Sequence, residues 1–298
     1  MKTIVLSTEE IFFQDIKEEI SSVCGEEGVK EALQNSLNVI AKKIVYKSGG
    51  HKVVGFIVEP KNPVSHKLPC IIYNRGGSGE FGAIDSRSLF FPLARMAQWG
   101  YVVITTQYSG NGGSEGTDEF GGKDLEDVLN LYKVLQTYPL ADVTKIGMYG
   151  GSRGGMMLYL ALVKVKWIKA AVSVYGASNL VRGAKERSGM NDTMKKMFGG
   201  SLAEKKKRSA VFWAHLFPKK TPLLLMHGLA DWRVSPLDSL DLSRELYKYH
   251  VPHRLVLFEG NDHGLTENRK ESNEMIKKWF DDYLVKEKPL PNVTPHGA

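Results

Sequence analysis

Ser152 lies among Gly150, Gly151, Gly154 and Gly155 in 147-GMYGGSRGGMM-157, after a strand-like run and before a helix-like one. Glycine gives up more backbone freedom than any other residue, so this density signals a sharp turn or close packing. The spacing reads G-x-S-x-G, the strand-to-helix turn that lifts a serine hydroxyl above a sheet. Such a hydroxyl is a weak nucleophile; it needs a base, and the base needs an orienting acid. In this arrangement the chain order is serine, acid, histidine. Asp231 follows the apolar run 223-LLLMH-227, and His263 follows 255-LVLFE-259. Parallel strands would put all three at one end of a sheet, where such folds bind ligands.

Each candidate has rivals. His227 also ends a strand run, but it precedes Asp231, and a structural histidine bonded to nearby backbone is the preferred reading. Asp262 adjoins His263, and adjacent residues point apart, so Asp231 is preferred as the orienting acid. Asp124 and Asp127 read as helix-start or loop-anchoring residues, and Asp238 and Asp241 as surface residues of a helix. A tetrahedral oxyanion needs preorganised donors. One is expected from the backbone N–H of Arg153, the other from Arg75, Gly76 and Gly77 in 73-YNRGGSGEFG-82, a loop after an earlier strand.

Elements that would position these residues alternate along the chain. Ser7 and Glu10 suggest a capping box, with a helix over 7–20 and a second over about 26–40. Runs at 43–47 and 52–60, split by Ser48-Gly49-Gly50, suggest a hairpin. Six apolar runs follow, starting near 69, 101, 145, 170, 222 and 254, with helical stretches at about 86–99, 122–137, 153–163, 236–249 and 267–285. Strands apolar on both faces, alternating with helices, predict an α/β protein with a mostly parallel central sheet. The expected organisation is an N-terminal helical extension over 1–41, a catalytic domain over 42–285 and a disordered Pro-rich tail over 286–298. Residues 179–217 interrupt the alternation and read either as a cap over the site or as a pair of surface helices.

The 298 residues carry a formal charge of +7, and Lys205, Lys206, Lys207 and Arg208 form the densest basic run. That run reads as a solvated helix face, and no nucleic-acid motif accompanies it. The glycines of 108-YSGNGGSEG-116 do not form G-x-G-x-x-G, so no nucleotide site is expected. Cys24 and Cys70 make neither a disulfide framework nor a zinc cluster. No run is long enough for a membrane span or a secretory signal, so a cytoplasmic protein that does not enter membranes is expected.

These segments, with 107-QYSGNGGSEGTDEFGGKDLEDV-128, 225-LMHGLADWRVSP-236 and 259-EGNDHG-264, resemble the catalytic domain of the prolyl oligopeptidase family of serine peptidases over about residues 42–285. The resemblance implies an α/β-hydrolase fold and an acyl-enzyme mechanism on short peptides. It also implies that Ser152 is the nucleophile, Asp231 the orienter and His263 the base, without metal or organic cofactor. The sequence departs from the family where Ser109 follows Tyr108 and where Arg75 precedes the paired glycines. Only about 40 residues precede the hydrolase strands, too few for the β-propeller many members carry. That leaves an esterase acting on small or sugar-linked acyl esters as the alternative. A non-catalytic ligand-binding protein on the same scaffold is the reading from another class. Oligomeric state is not encoded legibly.

Overall fold

The computed structural model describes residues 3–297; Met1, Lys2 and Ala298, at the ends of the expected extension and tail, lie outside the described residues. In chain order the first elements are β1 (Val5–Ile11), α1 (Phe13–Ser36), β2 (Val39–Ser48), β3 (His51–Pro60) and β4 (Leu68–Asn74). Next come α2 (Ser86–Ser88), a π-type turn (Leu89–Leu93) holding Pro92, α3 (Ala94–Gln98), β5 (Val102–Thr106), α4 (Leu125–Thr137) and β6 (Ala141–Gly151). Then follow α5 (Arg153–Leu162), β7 (Ile168–Val174), α6 (Leu180–Glu186), α7 (Ser188–Phe198) and α8 (Leu202–Lys207). The last are β8 (Leu223–Gly228), α9 (Leu237–Lys248), β9 (His253–Phe258) and α10 (Arg269–Phe280). The strands form a nine-stranded sheet in the order β1-β2-β3-β5-β4-β6-β7-β8-β9. The β1–β2, β2–β3 and β3–β5 pairs are antiparallel, and β4–β5, β7–β8 and β8–β9 are parallel. This mostly parallel sheet flanked by helices is the α/β-hydrolase architecture.

Contacts divide the chain into two compact units, one up to Asp118 plus Glu126–Ile146, the other Glu119–Leu125 plus the residues from Gly147 on. In the first, the N-terminus departs from the sequence reading. Ser7–Glu10 form no capping box; they lie in β1, paired antiparallel with β2. The physical reason is in the register: Glu9 opposes Lys43 and Glu10 opposes Lys42, opposite charges that stabilise an antiparallel pair. Pairing also satisfies backbone groups along the whole strand, where a capping box satisfies two. Helix α1 contains a kink at Gly25 (φ 63°, ψ 179°), and the helix expected to reach residue 40 ends at Ser36, because Val39 enters β2. The helix packs through Phe13 edge-on against Phe90 at 6.2 Å, and Asn35 Nδ2 donates to the Phe90 carbonyl. Cys70 is buried in β4, and burial pushes its thiol up to about 12.

In the second unit every residue of α5 is buried, which fits a helix lying against the sheet. The parallel register sets Ala171 of β7 beside Leu223 of β8, and Leu223 beside His253 of β9. Residues 179–217 hold three helices, α6 to α8, and two single 3-10 turns, Ala210–Phe212 and Ala214–Leu216. After a last π-type turn (Asp281–Val285), residues 286–297 form no helix or strand, although the Lys286 and Lys288 amides donate to the Asp281 and Asp282 carbonyls. Among the described residues, no helix is long and apolar enough to cross a membrane.

Candidate active site

Strand β6 ends at Gly151 and helix α5 begins at Arg153, so Ser152 makes the whole turn. Its backbone has φ 56° and ψ −122°, a left-handed conformation disfavoured for a residue with a side chain. Four hydrogen bonds hold it there: its N–H donates to the Val174 carbonyl, and its carbonyl accepts from the Gly155, Met156 and Ala177 amides. The surrounding glycines serve close packing. A Cβ on Gly150 would lie 2.1 Å from the Gly154 carbonyl oxygen, and one on Gly155 would lie 2.5 Å from Gly176 Cα. The strained φ falls on Ser152 itself, and the glycines clear the space that lets α5 start beside β6.

Asp231 lies three residues beyond β8, buried, in a loop that curls back on its own carboxylate. Oδ1 accepts from the Arg233 and Val234 amides at 2.8 and 3.0 Å. Oδ2 lies 2.7 Å from His263 Nδ1 and 3.1 Å from His227 Nε2. Burial pushes this carboxyl up, but the hydrogen bonds from His227 and His263 outweigh it and hold the group well below the usual carboxylate range. Asp262 makes no hydrogen bond to His263 here; it accepts from the Gly264 and Thr266 amides. The loops that carry Asp231 and His263 are joined directly: Ala230 N–H donates to the Asn261 carbonyl at 2.9 Å. Gly228 permits this approach, since a Cβ there would lie 2.3 Å from that carbonyl oxygen. Asn261, buried, holds its loop by donating to the Glu259 carbonyl and pairing with Asn268.

Two contributors were not anticipated. Tyr175 (φ 44°) packs its ring 4.4 Å from the His263 ring, and a Cβ on Gly151 would come within 3.1 Å of the same tyrosine. Tyr175 therefore lies against both the strand end that carries Ser152 and the imidazole; its place at the end of the run 170-AAVSVYG-176 was the available signal. His227 bonds to nearby backbone as expected, at 3.0 Å from the Val234 carbonyl oxygen, but it also reaches Asp231.

Arg153 places its backbone N–H at the start of α5, while its side chain is buried against Asp124 at 2.8 Å and over the Phe120 ring. Asp238, read from sequence as a surface residue, is buried, because α9 packs it against Ser178 and Asn179, whose amides it accepts at 3.0 Å. A cavity of about 150 Å³ opens beside the acid loop, its walls including Leu180, Gly183, Met190, Met194 and Val234, with Arg187 and Arg233 among its polar residues. In the first unit, the buried Arg75 guanidinium donates to the Gly76, Gly79, Phe81 and Gln107 carbonyls. It thus braces its own loop. Gly77 has φ 72°, and a Cβ there would lie 1.9 Å from the Phe81 carbonyl oxygen, so only glycine fits.

A serine on a strand-to-helix turn of an α/β-hydrolase sheet, with a bonded Asp–His pair in loops after later strands, is the arrangement a serine hydrolase needs. Residues 87–287 match the model of the prolyl oligopeptidase family, and the chain belongs to that family of serine peptidases. It is 32% identical over 214 residues to the Bacillus subtilis (strain 168) protein named uncharacterized peptidase YtmA, covering 70% of this chain and 80% of that protein. It is 24% identical to dipeptidyl-peptidase 5 of Porphyromonas gingivalis over 80% of this chain, but spans only 37% of that protein. The acylaminoacyl peptidase of Pyrococcus horikoshii superposes with a TM-score of 0.72 at 23% identity, over 88% of this chain and 43% of that one.

Proposed function

We propose that the chain is a peptidase that cleaves short peptides through an acyl-enzyme, with Ser152 as nucleophile, His263 as general base and Asp231 as its orienter. The observation that carries this reading is the 2.7 Å bond from His263 Nδ1 to the buried Asp231. It fixes the tautomer, placing the hydrogen on Nδ1 and leaving Nε2 to take the proton of Ser152 Oγ. Ser152 then attacks the carbonyl, and the backbone N–H of Arg153 is the proposed donor to the oxyanion. The imidazolium returns its proton to the leaving amine, and water, activated by the same imidazole, releases the acyl group.

The cavity beside Asp231 is proposed to receive one apolar side chain of the substrate. Its volume, about 150 Å³, matches that of cavities known to hold benzene. Leu, Met or Phe fits it, with the methionines Met190 and Met194 able to adapt. Hydrolysis of aminoacyl, dipeptidyl and N-acyl-aminoacyl p-nitroanilides, compared with p-nitrophenyl esters and corrected for the Ser152→Ala background, tests the reading. Anilide turnover lost in Ser152→Ala supports it. Ester turnover alone assigns an esterase, and failure of a fluorophosphonate to label Ser152 assigns a binding protein.

A further inference from the structure

We propose that His227 is a positioning residue: it shares Asp231 Oδ2 with His263 and so sets how the carboxylate orients and charges the catalytic imidazole. This rests on the Ser152–His263–Asp231 reading above. His227 closes β8 and is fully buried. Its Nε2 faces two acceptors, Asp231 Oδ2 at 3.1 Å and the Val234 carbonyl at 3.0 Å, so it must carry a hydrogen. Its Nδ1 lies 2.7 Å from Ser239 Oγ in the first turn of α9, which fixes the ring from its other edge. Asp231 therefore receives four donors, two backbone amides on Oδ1 and two imidazole N–H groups on Oδ2. With every acceptor direction filled, the carboxylate cannot turn without breaking a bond. The second imidazole also draws charge from the oxygen that His263 uses, so its removal leaves a more basic partner for the His263 imidazolium.

The charged and titratable groups around this pair are named by the structure. Tyr175, after β7, stacks on His263; Asp262 adjoins His263; Arg269, at the start of α10, and Asp262 both act on Tyr175; Asp238, on α9, lies within the field of His227. None of the others occupies Oδ2, so the effect of His227 is separable by substitution. Gln at 227 can present a donor close to where Nε2 stands, and Leu cannot.

The experiment follows kcat, KM and the pH dependence of kcat/KM on the best anilide, with the fluorophosphonate labelling rate of Ser152 as a readout independent of substrate. His227→Leu is expected to lower kcat about ten- to a hundred-fold, the worth of one hydrogen bond to a charged group. KM should stay within about two-fold, as for an interaction felt in the transition state. The midpoint of the acidic limb should move to higher pH, and the low-field proton resonance of the His263–Asp231 bond should shift. His227→Gln should restore most of the rate and the original midpoint. Ser239→Ala, which keeps the histidine but frees its far edge, should show the same changes in weaker form and serves if His227→Leu does not fold. A folded His227→Leu, or in its place Ser239→Ala, with wild-type kcat, midpoint and resonance overturns the proposal. Wild-type protein that neither labels at Ser152 nor turns over any amide or ester overturns the triad reading instead, and this proposal with it.

Discussion

Asp231 is where the site concentrates its electrostatics. Asp231→Asn keeps the shape but offers an amide edge to imidazoles that donate, which favours the wrong tautomer of His263. A fall in kcat of about 10³–10⁴ is expected on any substrate turned over, with near-normal KM; a loss below ten-fold would remove Asp231 from the mechanism. Asp238, in contrast, stabilises the fold without touching the reacting groups. Burial pushes its carboxyl up to about 6, against the Ser178 and Asn179 amides and Arg182. Between about pH 4 and 6 the unfolded carboxyl has lost its proton and the folded one retains it, so stability declines as pH rises through that window. Asp238→Asn does not titrate. The thermal midpoint of wild type minus that of the variant should therefore fall from pH 4 to pH 6 and level off above about 7. A flat difference would show that Arg182, 3.1 Å away, keeps Asp238 ionised throughout.

At the scale of elements, the segment Glu119–Asp124 shows how helix α5, which follows Ser152, is tied down. Phe120 has φ 51°, and the segment is gripped from two directions. Arg153, the first residue of α5, pairs with the fully buried Asp124, whose carboxylate also accepts the Gly121 and Gly122 amides. Arg208, just after α8, donates to the Glu119 and Phe120 carbonyls and stacks over Phe198 of α7. The loop thus links the residue after Ser152 to the helices of 179–217, a coupling no local sequence pattern encodes, because its partners come from three separate stretches. Asp124→Ala removes the carboxylate 2.8 Å from the buried Arg153 guanidinium and is expected to cost about 3–5 kcal/mol. Arg153→Met with Asp124→Leu, which removes both charges, is expected to recover most of that loss in chemical denaturation. If the double variant were as unstable as Asp124→Ala, the backbone amides held by Asp124, and not the ion pair, would be what keeps the segment in place.

Over the whole molecule, what was legible followed from local chemistry. Apolar runs broken by polar helices gave the strands of the α/β sheet, since a strand covered on both faces has few polar residues. The G-x-S-x-G spacing located Ser152 because a tight turn constrains adjacent positions. The second bond of His227 was hidden: it depends on residues 231–234 folding back over β8, and such a return leaves no periodic trace. The strand at Val5–Ile11 was hidden for a related reason. Ile11, Phe12, Ile16 and Ile20 fit a helical stripe, while the partner that makes the segment a strand, Ala41–Tyr46, lies beyond α1. That pairing gives the N-terminal segment a role testable by truncation. Removing residues 1–38 takes away the partner of β2 and the buried Phe13, Ile20 and Ala32, and uncovers Phe90. The shortened chain is expected to aggregate, with loss of the cooperative transition in circular dichroism, because an unpaired edge strand and an apolar face become exposed together. Removing 289–298 leaves the Lys288 amide on the Asp282 carbonyl and is expected to change stability by less than about 0.5 kcal/mol. If the N-terminal deletion instead melted like the full chain and only its peptide-length preference changed, β1 and α1 would be a lid, and the buttressing read from their buried residues would be wrong.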